Sequence, residues 1–160
     1  MLLLKIKCHL FSGVRKLFYN LFCANIKIGH KTSWRKGFTI TSEKGGTIEI
    51  GSNCFFNNNC TLASLKKIKI GDNCLFGENV KIYDHNHIFK EKKLIKEQGF
   101  SVKEVTIGNN CWICSNVVIL KGVTIGDHCI VGAGVIVWKD VPSNTIVKNH
   151  NSLIFEKIEG

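Results

Sequence analysis

Proline is almost missing from this chain: Pro142 is the one example in 160 residues. Long apolar runs are missing as well. Crossing a bilayer takes about 20 consecutive apolar residues, and charged side chains interrupt every run well short of that, so no transmembrane helix is expected. Nor is a cleaved secretory leader. Lys5, Lys7, Arg15 and Lys16 interrupt the apolar start Met1-Leu2-Leu3-Leu4, and no small-x-small site follows. Acidic residues are absent from positions 1–42, which hold eight basic residues; the first acid is Glu43. The net charge of +10 therefore sits mostly at the N-terminal end, where it suits phosphate groups, anionic lipid or a polyanionic substrate. Nucleic acid fits that sign, but zinc-finger spacing and an aromatic RNP motif are both lacking, so it is not an expected partner. With 44% apolar and 21% charged residues, one domain with an ordinary core is affordable and wholesale disorder is not expected.

What is present is a repeat of six. From Ile107, steps of six reach Ile113, Ile119, Ile125, Val131 and Val137, all β-branched. Four residues after each stand Cys111, Val117, Val123, Cys129, Val135 and Val141. Two further runs, Ile50-Phe56-Leu62-Ile68 and Ile70-Phe76-Ile82, keep the step in other phases. A fixed step with Gly or Asn at the bends reads as a solenoid, in which each unit is a short extended segment and a turn. Three such units would close one triangular coil, and stacked coils would pair as parallel strands of a β-helix. Periodicity does not set its hand.

Eight cysteines invite a disulfide or metal reading, but Cys54, Cys60, Cys74, Cys111 and Cys129 all take the small inward position, where a thiol is a small hydrophobe. Cys111-Trp112-Ile113-Cys114 spells C-x-x-C inside a repeat, not at the start of a helix, so packing is preferred to redox chemistry. Free thiols suit a reducing, cytoplasmic setting. Residues 2–24 predict a basic amphipathic helix with Leu10, Phe11, Val14, Leu17, Phe18, Leu21 and Phe22 on one stripe. It could cover the open end of the coil or lie on an anionic membrane. Three regions are expected: 1–25 as this helix, 26–147 as the β-helix, and 148–160 as a tail. Within the second, 84–104 breaks the repeat as a charged, extruded loop, the expected place for function.

His85 and His87 stand beside Asp84 at that break. His9 and His30 lie in the basic N-terminal part and His128 at a repeat turn, so none of these three is a site candidate. The segment Asn79-Val80-Lys81-Ile82-Tyr83-Asp84-His85-Asn86-His87, together with Ile107-Gly108-Asn109-Asn110-Cys111-Trp112-Ile113, Gly132-Ala133-Gly134 and Lys139-Asp140-Val141-Pro142, resembles the hexapeptide-repeat acyltransferases over about residues 46–147. The likeness is greatest to galactoside, maltose and surface-polysaccharide O-acetyltransferases. It implies an all-β fold, a left-handed parallel β-helix, a homotrimer with sites between subunits, and acetyl-CoA as donor with no metal. It also implies His87 as general base and Asn57 at the acceptor, with Asp84 and His85 supporting them. Trp112, Ser115, Ala133 and Trp138 fall at CoA-contacting positions. Lys148 or Lys157 is a candidate for the 3′-phosphate of CoA. Leu65 stands where galactoside acetyltransferases hold an acid.

The expected activity is transfer of an acetyl group from acetyl-CoA to a sugar hydroxyl, in building a surface polysaccharide. Imidazole, with a reference pKa of about 6.5, suits removal of a hydroxyl proton at neutral pH. Cys114 as a covalent nucleophile is disfavoured by its repeat position, so direct transfer is expected. Rival readings are a serine or antibiotic O-acetyltransferase, a γ-carbonic-anhydrase-like zinc enzyme, which needs three converging histidines, and a non-catalytic scaffold.

Overall fold

A computed structural model describes residues 13–21 and 23–149. The chain winds as a parallel β-helix whose three sheets are visited in turn. The first stacks Ile26–Ile28, Thr47–Ile50, Lys67–Ile70, Val105–Ile107 and Thr124–Ile125. The second stacks Ser33–Trp34, Phe55–Phe56, Leu75–Phe76, Trp112–Ile113, Ile130–Val131 and Ile146–Val147. The third stacks Thr39–Ser42, Thr61–Ser64, Lys81–Tyr83, Val118–Ile119 and Ile136–Val137.

The strand register limits the coil of three six-residue units to one place, where Thr106 pairs with Thr124. Ile26 instead pairs with Ile48, Ile48 with Ile68, Ile68 with Val105, and Ile130 with Ile146. All the variation falls at the corner between the third and first sheets. At the other two corners core residues stay six apart, as in Ile70, Phe76 and Ile82, because a left-handed backbone turn is stacked there coil upon coil. Lys31, Asn53, Asn73, Asn110, His128 and Asn144 hold φ between 53° and 60° at the first corner. Gly37, Asn59, Asn79, Asn116 and Gly134 hold φ between 58° and 77° at the second. Asn is the non-glycine residue best suited to that region. The first corner also needs glycine for close approach: a Cβ added to Gly71 would lie 2.8 Å from the carbonyl of Gly108. Lacking such a column, the third corner can take insertions.

Inside, Phe38, Phe56 and Phe76 stack with ring centroids 4.7 and 4.3 Å apart, and Trp34 lies 5.0 Å from Phe38. The corner thiols fill the remaining space as expected. Cys54, Cys60, Cys74, Cys111 and Cys129 are buried and unbridged, and each points Sγ at a carbonyl of the next coil, as Cys54 does to Gly71 at 3.1 Å.

A helix, α1, covers residues 13–21. The expected span began at residue 2; residues 2–12 and Phe22 lie outside the described residues, as do 150–160. Among those described, no helix is long and apolar enough to cross a membrane. The helix does close the coil, but not with its apolar stripe. Asn20 receives a hydrogen bond from the Ile28 N–H at 3.0 Å and donates one to its carbonyl at 3.1 Å, standing in for the strand that the first coil lacks. Arg15 donates to Tyr19 Oη and to the Phe38 carbonyl, and Tyr19 packs edge-on against Trp34. A bare strand edge needs hydrogen-bond partners, so the polar side of the helix faces inward. Val14, Leu17 and Leu21 face outward.

Candidate functional site

The longest insertion at the third corner lies between Ile82 and Ile107. It is not only a loop: His85–His87 and Phe100–Val102 form an antiparallel ribbon, with His85 opposite Val102 and His87 opposite Phe100. Its base is pinned by the Lys103 N–H donating to the Asp84 carbonyl at 2.8 Å. Its side is pinned by Lys121 Nζ donating to Ser101 Oγ at 2.6 Å. Farther out, Gln98 closes the tip. Its Nε2 donates to the carbonyls of Glu91 and Lys93, and its Oε1 accepts from the Glu91 N–H.

Asp84 is fully buried at the root of this ribbon. Its carboxylate accepts from Ser64 Oγ at 2.7 Å and from the N–H groups of Leu65 and Lys66 at 2.9 and 2.8 Å. Burial by itself would raise its pKa. The hydrogen bonds from Leu65, Ser64, Lys66 and His85 outweigh that and hold it below the ordinary aspartate value. His85 Nδ1 lies 3.0 Å from Asp84 Oδ1. An ionised carboxylate only accepts, so Nδ1 carries the proton, and in the neutral imidazole that makes Nε2 the acceptor. The His85 ring also meets Phe100 edge-on at 5.4 Å. His87 is exposed, and its ring rests on Phe100 with centroids 4.5 Å apart. Both imidazoles thus share one face of the ribbon, one locked by a carboxylate and the other backed by an aromatic ring.

The other expected site residues lie elsewhere. Asn57, Ser115 and Ala133 fall at the second corner, in different coils. The Asn57 Oδ1 accepts from Arg35 at 3.1 Å and from the Asn58 N–H at 2.9 Å, which leaves its Nδ2 directed away from both. Ser115 Oγ accepts from the Glu78 N–H at 3.1 Å. Trp112 is 51% exposed on the outer face of the second sheet, in register with Leu75 below it and Ile130 above. Trp138 is exposed beyond the last strand of the third sheet, with Lys139 Nζ 4.2 Å from its ring centroid. Of the candidates for the 3′-phosphate, Lys148 is exposed and Lys157 lies outside the described residues. Cys114 is half-buried, and burial raises its thiol pKa, which argues against a nucleophile.

In a three-sided coil, the third corner is opposite the second sheet. His87 and Trp112 therefore stand on opposite sides of one chain, and one copy does not bring them together. Among the described residues, no three His, Cys, Asp or Glu side chains are grouped to hold a metal. Sequence reasoning missed Phe100 and Ser64. Phe100 becomes a partner of His87 only through ribbon register. Ser64 lies one coil below Asp84, and only the coil step signals that contact.

The sequence matches the family models for bacterial transferase hexapeptide (six repeats) over residues 104–137 and for the hexapeptide repeat of succinyl-transferase over 67–82. A maltose O-acetyltransferase from Clostridium difficile is 31% identical, with 99% of this chain and 89% of that one covered and a TM-score of 0.65. The chain belongs to the hexapeptide-repeat acyltransferases. Its coil is accordingly the left-handed parallel β-helix. Another member, a hexapeptide-repeat acetyltransferase from Vibrio cholerae complexed with acetyl coenzyme A, is 29% identical over 93% of this chain and 86% of that one, with a TM-score of 0.69. A Staphylococcus haemolyticus protein named for acetyltransferase activity is 42% identical over 118 residues, 73% of this chain. The alignments span 58% and 60% of the curated relatives, about three-fifths of their length.

Proposed function

We propose that this hexapeptide-repeat protein transfers an acetyl group from acetyl-CoA to a hydroxyl of a sugar, within the synthesis of a surface polysaccharide. The observation that carries the reading is His87, exposed on a ribbon whose root is locked by Asp84, in a chain that resembles a maltose O-acetyltransferase along its whole length. His87 takes the proton of the acceptor hydroxyl as its oxygen attacks the thioester carbonyl. The tetrahedral oxyanion collapses, the C–S bond breaks, and the departing thiolate recovers the proton from the imidazolium. Such a base contributes about 10²–10⁴-fold. His85, with Nδ1 held by Asp84, offers Nε2 to orient the acceptor, and Asn57 offers its amide donors for the same purpose. Trp112, Ser115 and Ala133 line the run of the second sheet and second corner where the pantetheine arm would lie, with Trp138 at its end.

The opposite placement of His87 and Trp112 supports a homotrimer, in which the ribbon of one copy meets the second sheet of the next. The outer side of that sheet is suited to burial, since Phe55, Leu75, Trp112, Ile130 and Ile146 form a continuous apolar column. Thiol release from acetyl-CoA, read across a panel of sugars, glycan fragments and serine, identifies the acceptor. His87→Ala and Trp112→Ala should each abolish release while circular dichroism and oligomer mass stay unchanged. Unfolded together and refolded, the two variants should recover part of the activity, because some interfaces then join an intact His87 to an intact Trp112. No recovery would place both residues in one subunit's site. Full activity in His87→Ala would move the base to His85.

A further inference from the structure

Helix α1 has its sides reversed for a helix that only closes a coil. Its coil-facing side carries Arg15, Tyr19 and Asn20, which make the contacts to Trp34, Phe38 and Ile28. The opposite side presents Val14, Leu17 and Leu21 at 70%, 61% and 65% exposure, one above another at helical spacing. Apolar side chains aligned outward on an amphipathic helix need a second apolar medium. The charge around them indicates which one. Residues 13–42 carry Arg15, Lys16, Lys27, Lys31, Arg35 and Lys36 and no acid. A second copy would bring the same positive charge to this end and be repelled. A surface that is apolar below and negative above satisfies both features.

We infer that the N-terminal end of the solenoid docks on an anionic membrane surface. Val14, Leu17 and Leu21 enter the boundary between headgroups and acyl chains, and Lys16 of α1, with Lys27, Lys31 and Lys36 of the first coil, meets the lipid phosphates. The catalytic reading gives this docking its purpose, since a glycan still attached to a lipid carrier is presented at such a surface. The docking itself does not depend on that reading.

The test is flotation of the full chain with vesicles of phosphatidylcholine alone or mixed with phosphatidylglycerol. The chain should float with the mixed vesicles, stay behind with the neutral ones, and be released by salt, because exposed charges are screened beyond about 10 Å at 0.1 M ionic strength. Leu17→Glu with Leu21→Glu should lower partitioning at least about tenfold. Both positions are exposed, so circular dichroism and thiol release with a soluble sugar should not change. Flotation of the double variant equal to the parent would overturn the docking. So would failure of the parent to bind the anionic vesicles, or a fall in oligomer mass caused by the double variant, which would assign the stripe to a contact between copies. His87→Ala should float like the parent. If no acceptor supports thiol release while flotation persists, the catalytic reading fails and the docking stands.

Discussion

Asp84 is a buried carboxylate that costs the fold little, because each oxygen is met by a donor. The pairings are Ser64 and the Lys66 N–H to Oδ2, and the Leu65 N–H and His85 Nδ1 to Oδ1. Asparagine cannot replace it. One acceptor would become a donor aimed at an N–H group, so Asp84→Asn should lower unfolding stability by about 3 kcal/mol in a urea titration. The pH dependence has a definite sign. A depressed folded-state pKa gives stability that is complete above the ordinary aspartate value of about 3.9 and is lost as pH falls through the lower folded value. In Asp84→Asn the acid limb of the stability curve should therefore flatten below pH of about 4. Asp84 and His85 are neighbours in the chain, so their association was legible. The Ser64-Leu65-Lys66 cradle was not, since it exists only after one coil has been laid upon another.

At the scale of the turn, the stacked left-handed residues make opposite predictions at two positions of one column. Lys31 holds φ of 55° without the local hydrogen bonding that eases asparagine into that region. Lys31→Asn should therefore raise stability by up to about 1 kcal/mol. Asn110 holds φ of 53° and its Nδ2 lies 2.9 Å from His128 Nδ1. Asn110→Val, β-branched and without that bond, should lower stability by about 2 kcal/mol, readable as a shift in thermal midpoint. These turns were visible as Asn and Gly at fixed offsets. The third corner was visible only as a loss of phase, because its backbone obeys no repeated rule. For the same reason the sequence shows the antiparallel ribbon only as a charged loop. Within residues 13–21 the stripe is present as Val14, Leu17 and Leu21, but the pattern left its facing open. An amphipathic pattern says that two sides differ, not which of them has a partner, and here the edge of the first coil selected the polar one.

For the whole molecule, stability is a sum over neighbouring coils, each touching only the next. The aromatic column holds the largest fully buried side chains among the described residues, and Phe56, between Phe38 and Phe76, is its centre. Phe56→Ala should cost about 3–5 kcal/mol, measured by denaturant unfolding, because neither flanking ring can collapse into the gap without breaking strand register.

The step of six, the inward cysteines, the turn residues and the pair of histidines were determined by sequence alone, because each is a local rule repeated along the chain or a pair of near neighbours in it. Tertiary structure decided which residues sit one coil apart, which side of the helix meets the edge, and that His87 and Trp112 stand on opposite sides. These depend on how much chain each third corner takes up, and a coil of three equal units is only one of several lengths this protein uses.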